Sequence, residues 1–347
     1  MPLKLRGASE RLQVHGSMPR PAKVPALQNA VIHTRRCRIV FCLALASLLC
    51  RPAASWAWGN EGHRIIALVA DRLLQAEDPS AQKKVAEILA TDKSNDWTKT
   101  DIASEATWAD ALREKSPEGR VASSKWHYVK LDPGNPDLTK ACFGRPALAA
   151  LRPASHGLSD NCVIDKIDQF AKELRDPATS ASERLMALQF LLNLIGDVHD
   201  PLYAIEHNDQ SGRCAAVLPP GAKTPLRLSV YWEDTLVAEA EGTDPVKAAA
   251  QIVADTAPAK AREWSGGTPE DWARDSYELA KAVIYDFPPD TGSKYASTPQ
   301  KPEQDACGPV TVHRLDARYR DRAIAAVKEQ LAKAGVRLAF VLRENLK

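Results

Sequence analysis

Apolar residues return at intervals of three and four along most of this chain, and sustained alternation is nearly absent. Between Glu183 and Val198 the apolar positions include Leu185, Leu188, Leu191, Leu192 and Ile195, and Pro201 follows where a helix would stop. Such spacing lays an apolar stripe along an α-helix, whereas a half-buried strand needs a period of two. The same period runs from His63 to Leu74, where Ile65, Ile66, Leu68, Val69, Ala70 and Leu73 share a broad face. Ser80 is placed to cap a helix reaching Ala90, and Ser180 or Ser182 to cap the helix over 183–198. Further helices are expected at 103–115, 163–174, 230–241, 245–263, 269–286 and 316–345. Only 126–131 and 226–230 suggest strands, and no repeat at a fixed period is found. The segments 116–161, 207–228 and 288–312 read as irregular polar loops. The expectation is all-α: a single domain of about eight helices with long loops.

The first 57 residues stand apart. Arg35-Arg36-Cys37-Arg38 precedes an apolar run over 39–50, and Ser55-Trp56-Ala57 supplies small residues where a signal peptidase inspects. Charge, short apolar run and cleavage site in that order describe a leader for export. The run is too short to span a bilayer, which takes about 20 residues. An uncleaved anchor is the competing reading, and Met18 offers a second start. Cleavage after Ala57 would make Trp58 the new amino terminus and leave a domain at 58–347. The product is expected to be secreted or periplasmic, with no stable membrane insertion, and to act as a monomer.

The whole chain carries +2, and nine basic residues against one acidic residue lie in 1–57. The remainder is therefore acidic, and it shows no basic stripe of the kind that grips long duplexes by their phosphates. Four of the seven cysteines, Cys142, Cys162, Cys214 and Cys307, fall after the leader. An even number in an exported chain points to two disulfides. Three pairings are open; Cys142 with Cys162 and Cys214 with Cys307 is the one expected. A four-thiolate zinc site is disfavoured, since no pair has close spacing.

A free Trp58 amine and its own carbonyl can chelate a metal, with His63 near enough to add an imidazole. Three other places offer the residue types zinc accepts. They are Trp108-Ala109-Asp110, Trp126-His127-Tyr128, and the run from Asn193 through Asp197, His199 and Asp200 to Tyr203. Asn193 and Asp197 lie one helical turn apart, so both can face one ion. Each also has an ordinary structural reading. Asp197 and His199 can close a helix end, Asp110 can be a surface carboxylate, and His127, Trp108 and Trp126 can be core residues.

Taken together these residues resemble the zinc-dependent S1/P1 nuclease family. Trp58 to His63 matches its opening Trp-Gly-x-x-Gly-His, Trp108-Ala109-Asp110 its Trp-Ala-Asp segment, and His127-Tyr128 its His-aromatic pair. Asn193 to Tyr203 partly matches its His-x-x-Gly-Asp-x-His-x-Pro-Leu-His signature. Asp209 to Arg213 echoes Asp-x-Gly-Gly-Asn, and Arg227 to Glu233 echoes Asn-Leu-His-x-x-Trp-Asp. The resemblance implies the helical fold of zinc phospholipase C and P1 nuclease, with three zinc ions in a cleft. It implies hydrolysis of phosphodiester bonds in single-stranded nucleic acids or nucleotides by a metal-bound hydroxide. It assigns Trp58, His63 and Asp197 to one ion and Asp110, His127 and Asp197 to a second. Asp197 and Asp110 thus become the catalytic carboxylates and Tyr128 a platform on which a base stacks.

The departures fall on ligands. The signature's first and last histidines are Asn193 and Tyr203, and the later motif's His and Asp are Ser229 and Glu233. Lys130 stands where a carboxylate is expected, with Asp132 two residues beyond. Tyr203, Ser229 and Glu233 lack the donors that hold zinc tightly, so two zinc ions are expected here. Lys130, Arg213 or Arg227 would then stand in as fixed positive charge. A member that binds zinc and ligand without turnover, and a hydrolase of phospholipid, are the rival functions.

Overall fold

The computed structural model describes residues 57–94, 96–149, 152–289, 293–295, 307 and 310–347. The expected leader lies, apart from Ala57, outside them, as does much of the expected loop over 288–312. The described residues belong to one compact unit that is all-α in class, with a small sheet at one side.

The centre of that unit is the helix Ala181–Val198. Ser180 caps it, accepting from the amide of Glu183 at 3.3 Å, and from Ala187 to Val198 every residue is buried. A helix that is wet only at its start has to be wrapped by others. The neighbours are the helices Gly59–Glu77, Pro79–Leu89, Trp108–Lys115, Val163–Arg175 and the 29-residue Ala317–Asn345. Gly59–Glu77 buries Ile65, Ile66, Val69 and Leu74, and it crosses Ala317–Asn345 at Gly335. A Cβ at Gly335 would meet Val69 Cγ1 at 2.4 Å and the Ile66 carbonyl at 3.3 Å, so the approach depends on the missing side chain.

Helix positions followed the periodicity, and the differences arise from backbone chemistry. Asp78 caps the second helix with Pro79 at its first position, rather than Ser80. The stretch 103–115 is two pieces, Ile102–Glu105 and Trp108–Lys115, and the break at Ala106-Thr107 turns Asp110 inward. Pro258 splits 245–263 into Pro245–Asp255 and Pro258–Trp264, because proline has no amide to continue a helix. The expected loop at 116–161 contains the helix Pro117–Ser123 and a 3-10 turn, Ser124–His127, so His127 ends a turn. No strand forms there beyond a bridge between Leu131 and Ile205.

The sheet has four short strands in the order Leu226–Arg227, Ala216–Leu218, Val310–Arg314 and Ser293–Tyr295. Cys142 pairs with Cys162 and Cys214 with Cys307, the pairing expected from the sequence. The second bridge ties the start of the sheet to the segment leading into Val310–Arg314. Among the described residues no helix is long and apolar enough to cross a membrane.

Glu105 provides a test of this packing. Its side chain is fully buried, accepting from Thr98 Oγ1 at 3.1 Å and Gln189 Nε2 at 2.9 Å. Burial pushes its carboxyl up to about 7 from 4.5, against those hydrogen bonds. The folded state therefore holds the proton more tightly than the unfolded chain. The associated stability is full below about pH 4.5 and is lost as pH rises through about 7. Glu105→Gln should remove on the order of 2 kcal/mol of pH dependence between those limits, measured by urea unfolding at pH 5 and pH 8.

Candidate metal centre

Trp58 fixes the geometry at the start of the first helix. Its φ of 56° is left-handed, and its indole is buried with Nε1 donating to the Gly196 carbonyl at 3.0 Å. Its backbone nitrogen donates to Asp200 Oδ2 at 3.2 Å. The first helix is thus held at its origin to the far end of Ala181–Val198. One turn later the His63 ring lies against Gly196, where an added Cβ would come within 2.7 Å of His63 Nδ1. The glycine of the Gly-Asp pair is therefore a contact surface for an imidazole, in the body of a helix that ends at Val198.

Four buried side chains meet beyond that contact. His63 Nε2 lies 3.5 Å from Asp110 Oδ2 and 3.5 Å from Asp197 Oδ1. His127 Nδ1 is 2.6 Å from Asp197 Oδ2. Asn193 is buried among them, and its Nδ2 donates to Asp110 Oδ2 at 2.9 Å and to the Ala106 carbonyl at 3.0 Å. Arg113, three residues after Asp110 on the same helix face, donates to Asp110 Oδ1 at 2.5 Å. Arg113 belongs to none of the motifs, although its spacing from Asp110 is visible in the sequence.

The charges in this cluster are strongly coupled. Burial opposes ionisation of Asp197, but the neighbouring His127 and His63 outweigh it and hold the carboxyl down at about 2. Burial also opposes a charge on His63, while Asp197 and Asp110 raise its pKa above the usual imidazole value. His127 goes the other way, lowered by burial and by the Arg113 charge. Burial raises Asp200, near Asp197, although it accepts from the amides of Leu202 and Trp58.

The remaining candidates sit elsewhere or are otherwise engaged. Tyr203 is buried edge-on to Tyr128 with ring centres 6.5 Å apart, and Tyr128 is half-buried. Ser229 and Glu233 are buried. Asp132 accepts from the amides of Gly134 and Asn135, so its carboxylate organises a turn. Lys130 lies 5.0 Å from the Tyr128 ring centre and 3.9 Å from Glu206. His199 uses both nitrogens, on the Ile195 carbonyl at 2.6 Å and Arg337 at 2.8 Å, and His207 stacks on Tyr285 at 3.8 Å. Arg113 bonds directly to the cluster, whereas Lys130, one of the cations expected there, lies beside Tyr128 and Glu206.

The donor types suit zinc. His63 Nδ1, His127 Nε2 and Asp197 Oδ1 are buried without a hydrogen-bond partner. A separation of 3.5 Å between His63 Nε2 and Asp197 Oδ1 matches two ligands of one zinc, whose bonds of about 2.1 Å place neighbouring donors about 3.4 Å apart. Among the described residues, no trio from His63, Asp110, His127 and Asp197 has its donor atoms within 4.8 Å of one another. The trio that does, Cys142, Cys162 and Asp165, has both sulfurs in a disulfide and is no metal site. A surface cleft of about 820 Å³ lined by Arg145, Asp168, Lys172 and Glu173, among others, shares no residue with the cluster.

The family model described as S1/P1 Nuclease matches residues 58–347. Nuclease S1 of Aspergillus oryzae is 25% identical over 86% of this chain and 92% of its own length. Endonuclease 2 of Arabidopsis thaliana is 27% identical over 53% of this chain and 57% of its own. Nuclease P1 of Penicillium citrinum is 28% identical over 44% of this chain and 50% of its own. The last two matches span about half of each chain.

The Gly196 contact generates a prediction. Gly196→Ala should force His63 away from Asp197 or bend the helix, at a cost of about 1–3 kcal/mol, measured by chemical denaturation. Gly242→Ala, which has open space but a backbone conformation (φ 78°, ψ −168°) that glycine alone adopts readily, should cost about 1–3 kcal/mol of backbone strain and leave the His63 resonances in place.

Proposed function

The chain belongs to the S1/P1 nuclease family, and from that premise we propose an exported nuclease that uses zinc to cleave single-stranded nucleic acid. It is a hydrolase acting on phosphodiester bonds. The observation that supports the finer reading is the convergence of His63, Asp110, His127 and Asp197 in one buried cluster beside the Trp58 backbone. Removal of the leader after Ala57 would give Trp58 a free amine at that place. Two disulfides among the described residues suit an oxidising compartment.

Trp58, His63 and Asp197 are the residues that would hold an ion. Zinc at that position supplies Lewis acidity and makes water a usable nucleophile near neutral pH. The chain's own groups set the stage for it. Asp197 stays ionised across the physiological range, with one oxygen held by His127 and the other turned toward His63. Trp58 is clamped by Gly196 and Asp200, so its backbone cannot drift from His63. Tyr128 offers a half-buried ring for a base, a contact that contributes about 1–3 kcal/mol and accepts any base.

A second reading, zinc and ligand binding without turnover, is favoured by one observation. Tyr203, Ser229 and Glu233 bring neither nitrogen nor sulfur to the third position of the family pattern. The two readings separate on a single-stranded oligonucleotide. Protein purified after expression of the full chain should begin at Trp58 by amino-terminal sequencing. It should cleave the oligonucleotide and lose that activity in EDTA, and Asp197→Asn should reduce the rate at least about 100-fold. Bound zinc with no cleavage of oligonucleotide or phospholipid would establish the second reading instead.

A further inference from the structure

A second ring stands near Tyr128, and we propose that Phe143 is a second stacking platform. It takes the base of a further nucleotide on the same single strand, while Lys125 meets the backbone phosphate between the two rings. The proposal rests on the reading of Tyr128 as the base platform of a nuclease. It extends that site onto a loop that belongs to none of the motifs.

Among the described residues four large apolar side chains are exposed, and Phe143, at 37%, is the aromatic one. The backbone holds it there. Its φ of 55° is left-handed, an uncommon conformation for a bulky side chain, and Gly144 and Arg145 follow at 80° and 53°. The turn is pinned on both sides. Cys142 is bonded to Cys162, and Arg145 pairs with Asp165 at 2.8 Å and with Glu270 at 3.0 Å. The same disulfide leads to Tyr128, because the amide of Val163, next to Cys162, donates to the Tyr128 carbonyl at 3.2 Å. Both rings are thus carried on one cross-linked piece of backbone, and a platform already in place has little freedom left to lose when a base lands on it.

Each ring has an ammonium beside it. Lys125 Nζ is 5.1 Å from the centre of Phe143, and Lys130 Nζ is 5.0 Å from the centre of Tyr128. Lys125 also acts on Tyr128: burial raises the pKa of that hydroxyl, and the Lys125 charge opposes the rise. Rings for bases interleaved with cations for the backbone hold a single strand whatever its sequence. Both cations have carboxylate partners, Asp160 at 2.6 Å from Lys125 and Glu206 at 3.9 Å from Lys130. The Lys125 and Asp160 side chains are 43% and 61% exposed. Exposed pairs of this kind contribute little, so an arriving phosphate can take the ammonium over.

Fluorescence anisotropy with a phosphorothioate octathymidylate, whose linkages resist hydrolysis, tests this on protein purified from full-chain expression. Phe143→Ala should weaken octamer binding about 5- to 150-fold, the effect of one lost stacked base. It should leave the affinity for thymidine 3′-phosphate, which fills the Tyr128 site alone, unchanged by calorimetry. Phe143→Tyr, which keeps a ring, should bind the octamer like the wild type. Lys125→Met should reduce the slope of log affinity against log salt by about 0.7, the share of one phosphate contact on a single strand. Equal octamer affinity in Phe143→Ala, an equal loss for the mononucleotide, or a wild type that does not bind the octamer would overturn the proposal. An unchanged salt slope would remove Lys125 from it. Should Phe143→Ala fail to fold, Phe143→Leu, apolar but without a ring, decides on the same terms. Cleavage of the unmodified octamer by the wild type, with octamer binding untouched in Phe143→Ala, would remove the second platform and leave the nuclease function standing. Weakened binding in Phe143→Ala, with no cleavage by the wild type, would do the reverse.

Discussion

Everything in the candidate site depends on how closely the first helix approaches the central one at Gly196. That contact admits the His63 ring only because position 196 has no side chain. It is locked by the Trp58 indole, which reaches the same residue's carbonyl. Burying an indole and satisfying its N–H at once gives both affinity and register between the helices. One turn of one helix is thereby fixed against the last turn of the other. Asp197, the next residue after Gly196, is then obliged to face His63.

Burial sets the electrostatic terms of this arrangement. Two aspartates without water must be neutralised nearby. Asp197 is held ionised by two imidazoles, and Asp110 by a guanidinium on its own helix. The family pattern would meet the same requirement with several ions. Asn193, Tyr203 and Ser229 stand at three imidazole positions of that pattern. The Arg113 guanidinium and the Asn193 amide both bond to Asp110.

The fold was largely legible in the sequence because helical periodicity and proline are local signals. The stretch 316–345 and the helix ending before His199 came within one or two residues of their observed bounds. The misses were also local in origin but needed the backbone to resolve them. Nothing in 103–115 announces the break at Ala106-Thr107, which is what turns Asp110 inward. The turn that delivers His127 lies in a stretch whose composition reads as loop. His199 closes the helix end, as its place before Asp200-Pro201 suggested, and its ring also links to Arg337, 138 residues away.

The sequence alone determined the helical class and which residue types stood in each motif. Those follow from periodicity, composition and spacing, which the chain carries wherever it folds. Only the tertiary structure decided which of those residues share one buried volume and what each of them touches. Arg113 and Lys130 are both cations near a motif, and the i, i+3 spacing that allows Arg113 to reach Asp110 does not say that the pair is buried. The distinction comes from helix packing, which buries one against Asp110 and leaves the other beside Tyr128. Direct contact and exclusion of water are properties of the packed chain, and they set the strength of a charge.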